Sequence, residues 1–159
     1  MRHRVVDPVI ALLKQGATPR QIAASIAVGG VIGLFPVLGT TTMICFGLAW
    51  VLRLNIAAMQ IPNLLVYPVQ LALIVPFIRF GERLFHAPPA PLSLAKLVEM
   101  FRASTLNAIE VLWRSLMYAS VAWLIVAPVG ALLLYVILLP IVRRFAAAYA
   151  ASRTRAPVL

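Results

Sequence analysis

From Ile22 to Leu52 the chain runs for 31 residues without a charge, and at the middle of that run stand Pro36, Gly39 and the consecutive Thr40, Thr41 and Thr42. As one helix the run would measure about 46 Å, well beyond the roughly 30 Å hydrocarbon core of a bilayer. Phe35, which precedes the proline, is pushed out of the helical region, and Pro36 has no N–H to donate. The run therefore divides into two arms, Ile22–Leu34 and Thr40–Leu52, each of 13 residues. An arm of that length reaches only about 20 Å. Neither arm crosses alone, and a re-entrant hairpin is expected, entering, turning at Gly39 and returning at Arg53.

Local signals agree with this division. Thr18-Pro19-Arg20-Gln21 is a capping box with proline at the first helical position, directly before the first arm. Gly39 permits a sharp turn, and Thr40 to Thr42 offer N-caps for the second arm. Ser25, Gly29 and Gly33 form a small-residue stripe at four-residue spacing, which is expected to let the two arms pack closely.

Two further charge-free stretches follow, Ile56–Ile78 with 23 residues and Leu116–Val142 with 27. The first carries Pro62, Pro68 and Pro76 with Asn63, Tyr67 and Gln70 among them, which predicts a second broken or re-entrant element. The second has Pro128-Val129-Gly130 but almost no polar residues and reads as one kinked or tilted span. Between them, HAPPAPLS is a stiff surface loop. Apolar residues from Leu94 to Arg114 then recur at helical spacing with charges on other faces, as in an interfacial helix, with a break at Ser104 as one option. Covering a partner subunit is the competing explanation for that helix. The expected organisation is one all-α membrane domain: an interfacial N-terminal helix over 1–17, the hairpin over 18–55, the second broken segment over 56–83, loop and amphipathic helix over 84–115, a transmembrane helix over 116–142 and a basic tail over 143–159.

Composition supports this class. Hydrophobic residues make up 63% of the chain and charged ones 11%, where a soluble domain carries about a quarter charged. The opening MRHRVVDPVIALLKQG does not read as a cleavable signal, because Asp7 and Lys14 interrupt its apolar run. Insertion through the later segments implies the inner membrane of a bacterium-like cell, with the N-terminus in the cytoplasm. The net charge of +10 is spread over every flank instead of one patch, which argues against nucleic acid and for the positive-inside rule and anionic lipid. The side of the tail is left open by charge. Cys45, the single cysteine, reads as a small buried hydrophobe.

Helix breaks at membrane depth are tolerated where they are buried in protein or line a polar cavity. The start of the second arm offers free N–H groups and a positive dipole end, which attract an anion. Pro36, Gly39, Thr40, Thr41, Thr42, Arg53, Asn63, Tyr67 and Gln70 are therefore the candidate substrate-binding residues. The alternative is that the threonines only satisfy backbone carbonyls and the turn is structural. Arg53 has two readings, a side chain snorkelling at a helix end or a gate at the pocket's mouth, and Asn55 is expected as the left-handed cap. Arg79, Glu82 and Arg83 read as an interfacial ion pair. With four acidic residues and two histidines in no metal-ligand, nucleophile–base or phosphate-loop pattern, neither catalytic residues, a cofactor nor a metal site is expected.

The stretch from Thr18 to Gln70, followed by FGE at Phe80–Glu82, resembles the bacterial domain of unknown function 2062 family. The motif residues are Gly30, Gly33, Pro36 and Gly39, then Arg53 and Asn55, then Asn63. The sequence departs from the family's Asn-Pro order, since Asn63 follows Pro62 instead of preceding a proline. The resemblance implies membership without an activity. In architecture the broken helices are similar to small lipid-phosphate transporters of the DedA type. The expected function is transport, flipping or binding of an anionic lipid or lipid-linked phosphate by a homodimer or larger assembly, with membrane lipids as partners. The alternative is a non-transporting scaffold or anchor.

Overall fold

The computed structural model describes residues 18–154. Within them lie six helices: α1 (Pro19–Ile32), α2 (Thr41–Leu52), α3 (Ile56–Leu65), α4 (Tyr67–Leu84), α5 (Leu94–Ala103) and α6 (Thr105–Thr154). The expected interfacial helix over 1–17 lies outside the described residues. α6 is the one helix among them long and apolar enough to cross a membrane alone. α3 and α4 pass the same test only as a pair, bent by 68° at Val66.

α1 opens on the predicted capping box: the Thr18 hydroxyl accepts from the Gln21 N–H at 3.2 Å, and the Gln21 side chain accepts from the Thr18 N–H at 3.0 Å. It closes near Gly33, where Leu34 and Phe35 donate to Val31 and Ile32 in a tightened last turn. Pro36 cannot extend that ladder. Gly39, at φ +83°, then reverses the chain into α2.

α2 ends differently from expectation. The left-handed residue is Arg53, at φ 53° and ψ 41°, and not Asn55. Asn55 is extended and serves as N-cap of α3, accepting from the Ala58 N–H at 3.0 Å. Its own N–H donates to the Ser25 hydroxyl at 2.9 Å, which ties the return of the hairpin to the second turn of α1.

The small-residue stripe also has a different partner from the one expected. A methyl group at Gly29 would overlap the backbone of Met59, and one at Gly33 would lie 2.9 Å from the Asn63 carbonyl oxygen. With Ser25 against Asn55, each step of four along α1 meets a step of four along α3 in the same direction. The stripe is thus the seam of a parallel α1–α3 pair, and the α1–α2 hairpin is held more loosely. The physical reason is size: Met59 and Asn63 bring their main chain into the space that missing side chains leave.

α6 carries the rest of the assembly. Val142 packs with Ile22, Gly130 approaches Val31, and Trp123 meets Phe35 edge to face at 4.9 Å. Further toward its start, Tyr118 lies against Gly81 and stacks on Phe85 at 4.9 Å. α6 therefore runs antiparallel to α1 along one half and antiparallel to α4 along the other. Both chain breaks, at 33–40 and at Val66, come level with the middle of α6.

The helix that holds the third charge-free stretch extends past the bounds predicted for it. The amphipathic segment ends at Ser104, whose φ of −163° and ψ of 112° break the helix. Thr105 to Arg114 belong to α6, as do Arg143 and Arg144, giving 50 helical residues through Pro128 and Pro140. That is about 75 Å. Charged side chains do not stop a helix, and both prolines are absorbed within it.

Candidate functional site

A helix that stops leaves its last carbonyls without partners. At the first break two of the carbonyls beyond α1 are met by side chains. Gln70, buried on α4, donates through Nε2 to the Phe35 carbonyl at 2.6 Å, and the Thr40 hydroxyl donates to the Val37 carbonyl at 2.9 Å. The Thr40 side chain makes no cap hydrogen bond to α2. The two breaks are thus cross-linked, since the polar residue after the second one satisfies the backbone of the first.

Asn63 lies 3% exposed between α1 and α3. Its Nδ2 donates to Gln60 Oε1 at 3.1 Å, while Asn63 Oδ1 and Gln60 Nε2 are buried without partners. Exchanging both amides end for end leaves one donor and one acceptor over in either arrangement.

Of the sequence-selected residues, Pro36, Asn63 and Gln70 come together at the breaks and are buried. Gly39 to Thr42 form the hairpin tip instead. Gly39 and Thr42 are exposed, Thr40 and Thr41 are half-buried, and a side chain at Gly39 would touch nothing within 4 Å. Tyr67 is exposed. Arg53 is exposed at the far end of α2, one helix-length of about 18 Å from Thr41, and does not stand at the mouth of a pocket over the threonines.

The concavity nearest the breaks is apolar. A groove of about 440 Å³ opens between α1, α2 and α6, lined by Val28, Val31, Ile32 and Phe35, by Ile44 and Leu48, and by Ser120, Trp123, Leu124, Ala127, Pro128 and Ala131. Its one polar side chain, Ser120, donates back to the Leu116 carbonyl at 2.7 Å. Sequence reasoning missed this groove because its walls come from α1, α2 and the distant α6, which only the fold brings together. Phe35 and Trp123, which meet edge to face at the groove, are two of several aromatics in their runs and carried no distinguishing signal.

A family model described as an uncharacterized protein conserved in bacteria (DUF2062) matches residues 4–150. The chain belongs to this family. Neither the curated proteins nor the solved structures contain a match. The DUF2062 motif residues have local tasks here: Gly33 admits α3, Gly39 supplies the positive φ, Arg53 terminates α2 and Asn55 starts α3. The reversed Pro62-Asn63 order leaves Asn63 inside α3, with Pro62 absorbed one residue earlier.

Proposed function

We propose that this DUF2062 protein is a non-catalytic bacterial inner-membrane protein that binds an anionic lipid, with an acyl chain in the apolar groove at the level of the two breaks. The groove itself is the observation that carries the reading. At hydrocarbon depth an empty cleft of this size forfeits dispersion contacts along its walls, and the surrounding lipid tails match its chemistry. Binding is favoured over transport through a polar pocket because Gln70 and Thr40 already satisfy the break's carbonyls.

The proposed topology has a re-entrant α1–α2, one broken crossing by α3–α4 and a return crossing by α6. In this topology the start of α1 and the later part of α6, where Ile22 packs with Val142, lie on one side. In sequence order, nine of the 14 Lys and Arg come before α3 or after Val142, among them Arg20, Arg53, Arg143 and Arg144, and this topology assigns them to that side. Arg79, Arg83, Lys96, Arg102 and Arg114 flank the other. The excess makes the first side cytoplasmic under the positive-inside rule, and it attracts anionic lipid.

The test is mass spectrometry of lipids retained by the full chain purified in mild detergent. Ala127→Phe, filling the groove from α6, is expected to abolish retention of the enriched lipid while thermal stability stays close to the parent. Equal retention by both proteins overturns the lipid reading.

A second reading, a scaffold that assembles through α2, is favoured by the outward face of that helix, where Met43 is 80% and Trp50 84% exposed. Native mass spectrometry of the same samples separates the two. A homodimer or larger assembly that persists in both proteins, without lipid, supports the scaffold.

A further inference from the structure

At the end of α4 farthest from the breaks, Glu82 and Arg83 lie three and four residues after Arg79 on one helix face, and His86, just past the helix end, lies four and three residues after them. With Ala87 and Pro89 they line a cleft of about 590 Å³. Glu82 is 4% exposed, and both its oxygens are committed: Oε2 accepts from Arg79 Nη1 at 2.8 Å and Oε1 from the Ala90 N–H at 2.7 Å. That carboxylate fastens the proline-rich loop over the helix end and uses one face of Arg79. Arg83 forms no salt bridge among the described residues, so the cleft keeps a net positive charge.

His86 is the second observation. It ends α4 at φ 50°, with its N–H on the Arg83 carbonyl at 3.2 Å and the following Ala87 N–H on the Glu82 carbonyl at 2.9 Å. That left-handed position after a helix is usually glycine, because any Cβ strains it. Here the chain accepts the strain and gains an imidazole in the cleft wall. Such an outlier is a sign of function where the side chain it carries faces a site.

We propose that this cleft binds a phosphate group, held by the Arg83 guanidinium and the His86 ring, with the Arg79 guanidinium fixed beside them. A guanidinium matches two phosphate oxygens at once, and the buried Glu82 keeps Arg79 from turning away. The phosphate comes from a lipid head group or from solution, and the site does not depend on the groove between α1, α2 and α6.

The full chain in mild detergent is titrated with dihexanoyl phosphatidylglycerol and, separately, with inorganic phosphate. Saturable binding is expected for at least one, and Arg83→Gln is expected to weaken it about tenfold or more, the scale of a lost hydrogen bond to a charged group. Binding of the lipid alone identifies a head group, and binding of both identifies phosphate itself. His86→Gly removes the strain with the ring, so it is expected to raise the thermal midpoint while weakening binding. Higher stability with unchanged affinity assigns His86 to the helix end only and overturns its role. Arg102→Gln, on α5 outside the cleft, is the control. Equal weakening by Arg102→Gln and Arg83→Gln, or no saturable binding of either probe, overturns the site.

Discussion

The two arms of the hairpin come from one uncharged run, yet they pack in opposite ways. Eight of the 14 residues of α1 are buried, whereas α2 buries only Cys45 and Ala49 of its 12. Hydrophobicity does not separate them, because α2 is the more apolar arm. Shape does. α1 presents Ser25, Gly29 and Gly33 on one line, and another backbone can enter there. α2 presents Met43, Phe46, Trp50 and Val51, which hold neighbours away. In the proposed membrane setting this is the expected rule: apolar surface gains little from leaving hydrocarbon, so close packing decides which helix is enclosed.

The contrast can be broken at three points. The largest effect is expected at Gly29→Ala. Its methyl group meets the backbone of Met59, which cannot rotate aside, so α1 and α3 must separate. Overpacking of this kind costs about 1–3 kcal/mol or more, and the thermal midpoint in detergent should fall sharply, with loss of folded protein as the extreme. A midpoint within a degree or two of the parent would mean that the seam is not close-packed. Gln70→Leu comes next. It leaves the part-buried Phe35 carbonyl without its donor, at about 1–3 kcal/mol, read as a lower midpoint that Gln70→Glu does not restore at high pH, where an ionised carboxylate has no proton to donate. The smallest effect has the opposite sign. Gly47 sits within α2 with nothing within 4 Å of an added methyl, so Gly47→Ala should stabilise by about 0.5–1 kcal/mol through helix propensity. Loss of stability there would show that a second chain covers α2.

Much of this was legible before any coordinates. The capping box at Thr18, the stop at Pro36, the turn at Gly39 and the bend in the second segment all follow from rules acting within a few residues. What stayed hidden was pairing. A stripe at four-residue spacing shows that some backbone will approach, but nothing in the spacing distinguishes α2 from α3. The link from Gln70 to Phe35 joins positions 35 apart, and only the fold brings them together. The cap at Arg53 ran against residue preference: Asn55 suits a left-handed position better, but its side chain is worth more as the N-cap of α3. Of the candidate residues, Pro36, Asn63 and Gln70 lie buried at the breaks. Thr41 and Arg53 lie at opposite ends of α2, because a rigid helix keeps its two ends apart.

The pairing of α1 with α6 has a consequence for how the protein is made. Ile22 packs beside Val142, which leaves the ribosome 120 residues later. α1 is therefore among the first elements synthesised and among the last enclosed. α3 can close its seam early, but the side toward Val31 and Phe35 waits for Trp123 and Gly130. A chain interrupted at Ser104 has the residues of the seam and lacks this cover, so nascent and truncated forms expose a surface that the finished protein hides.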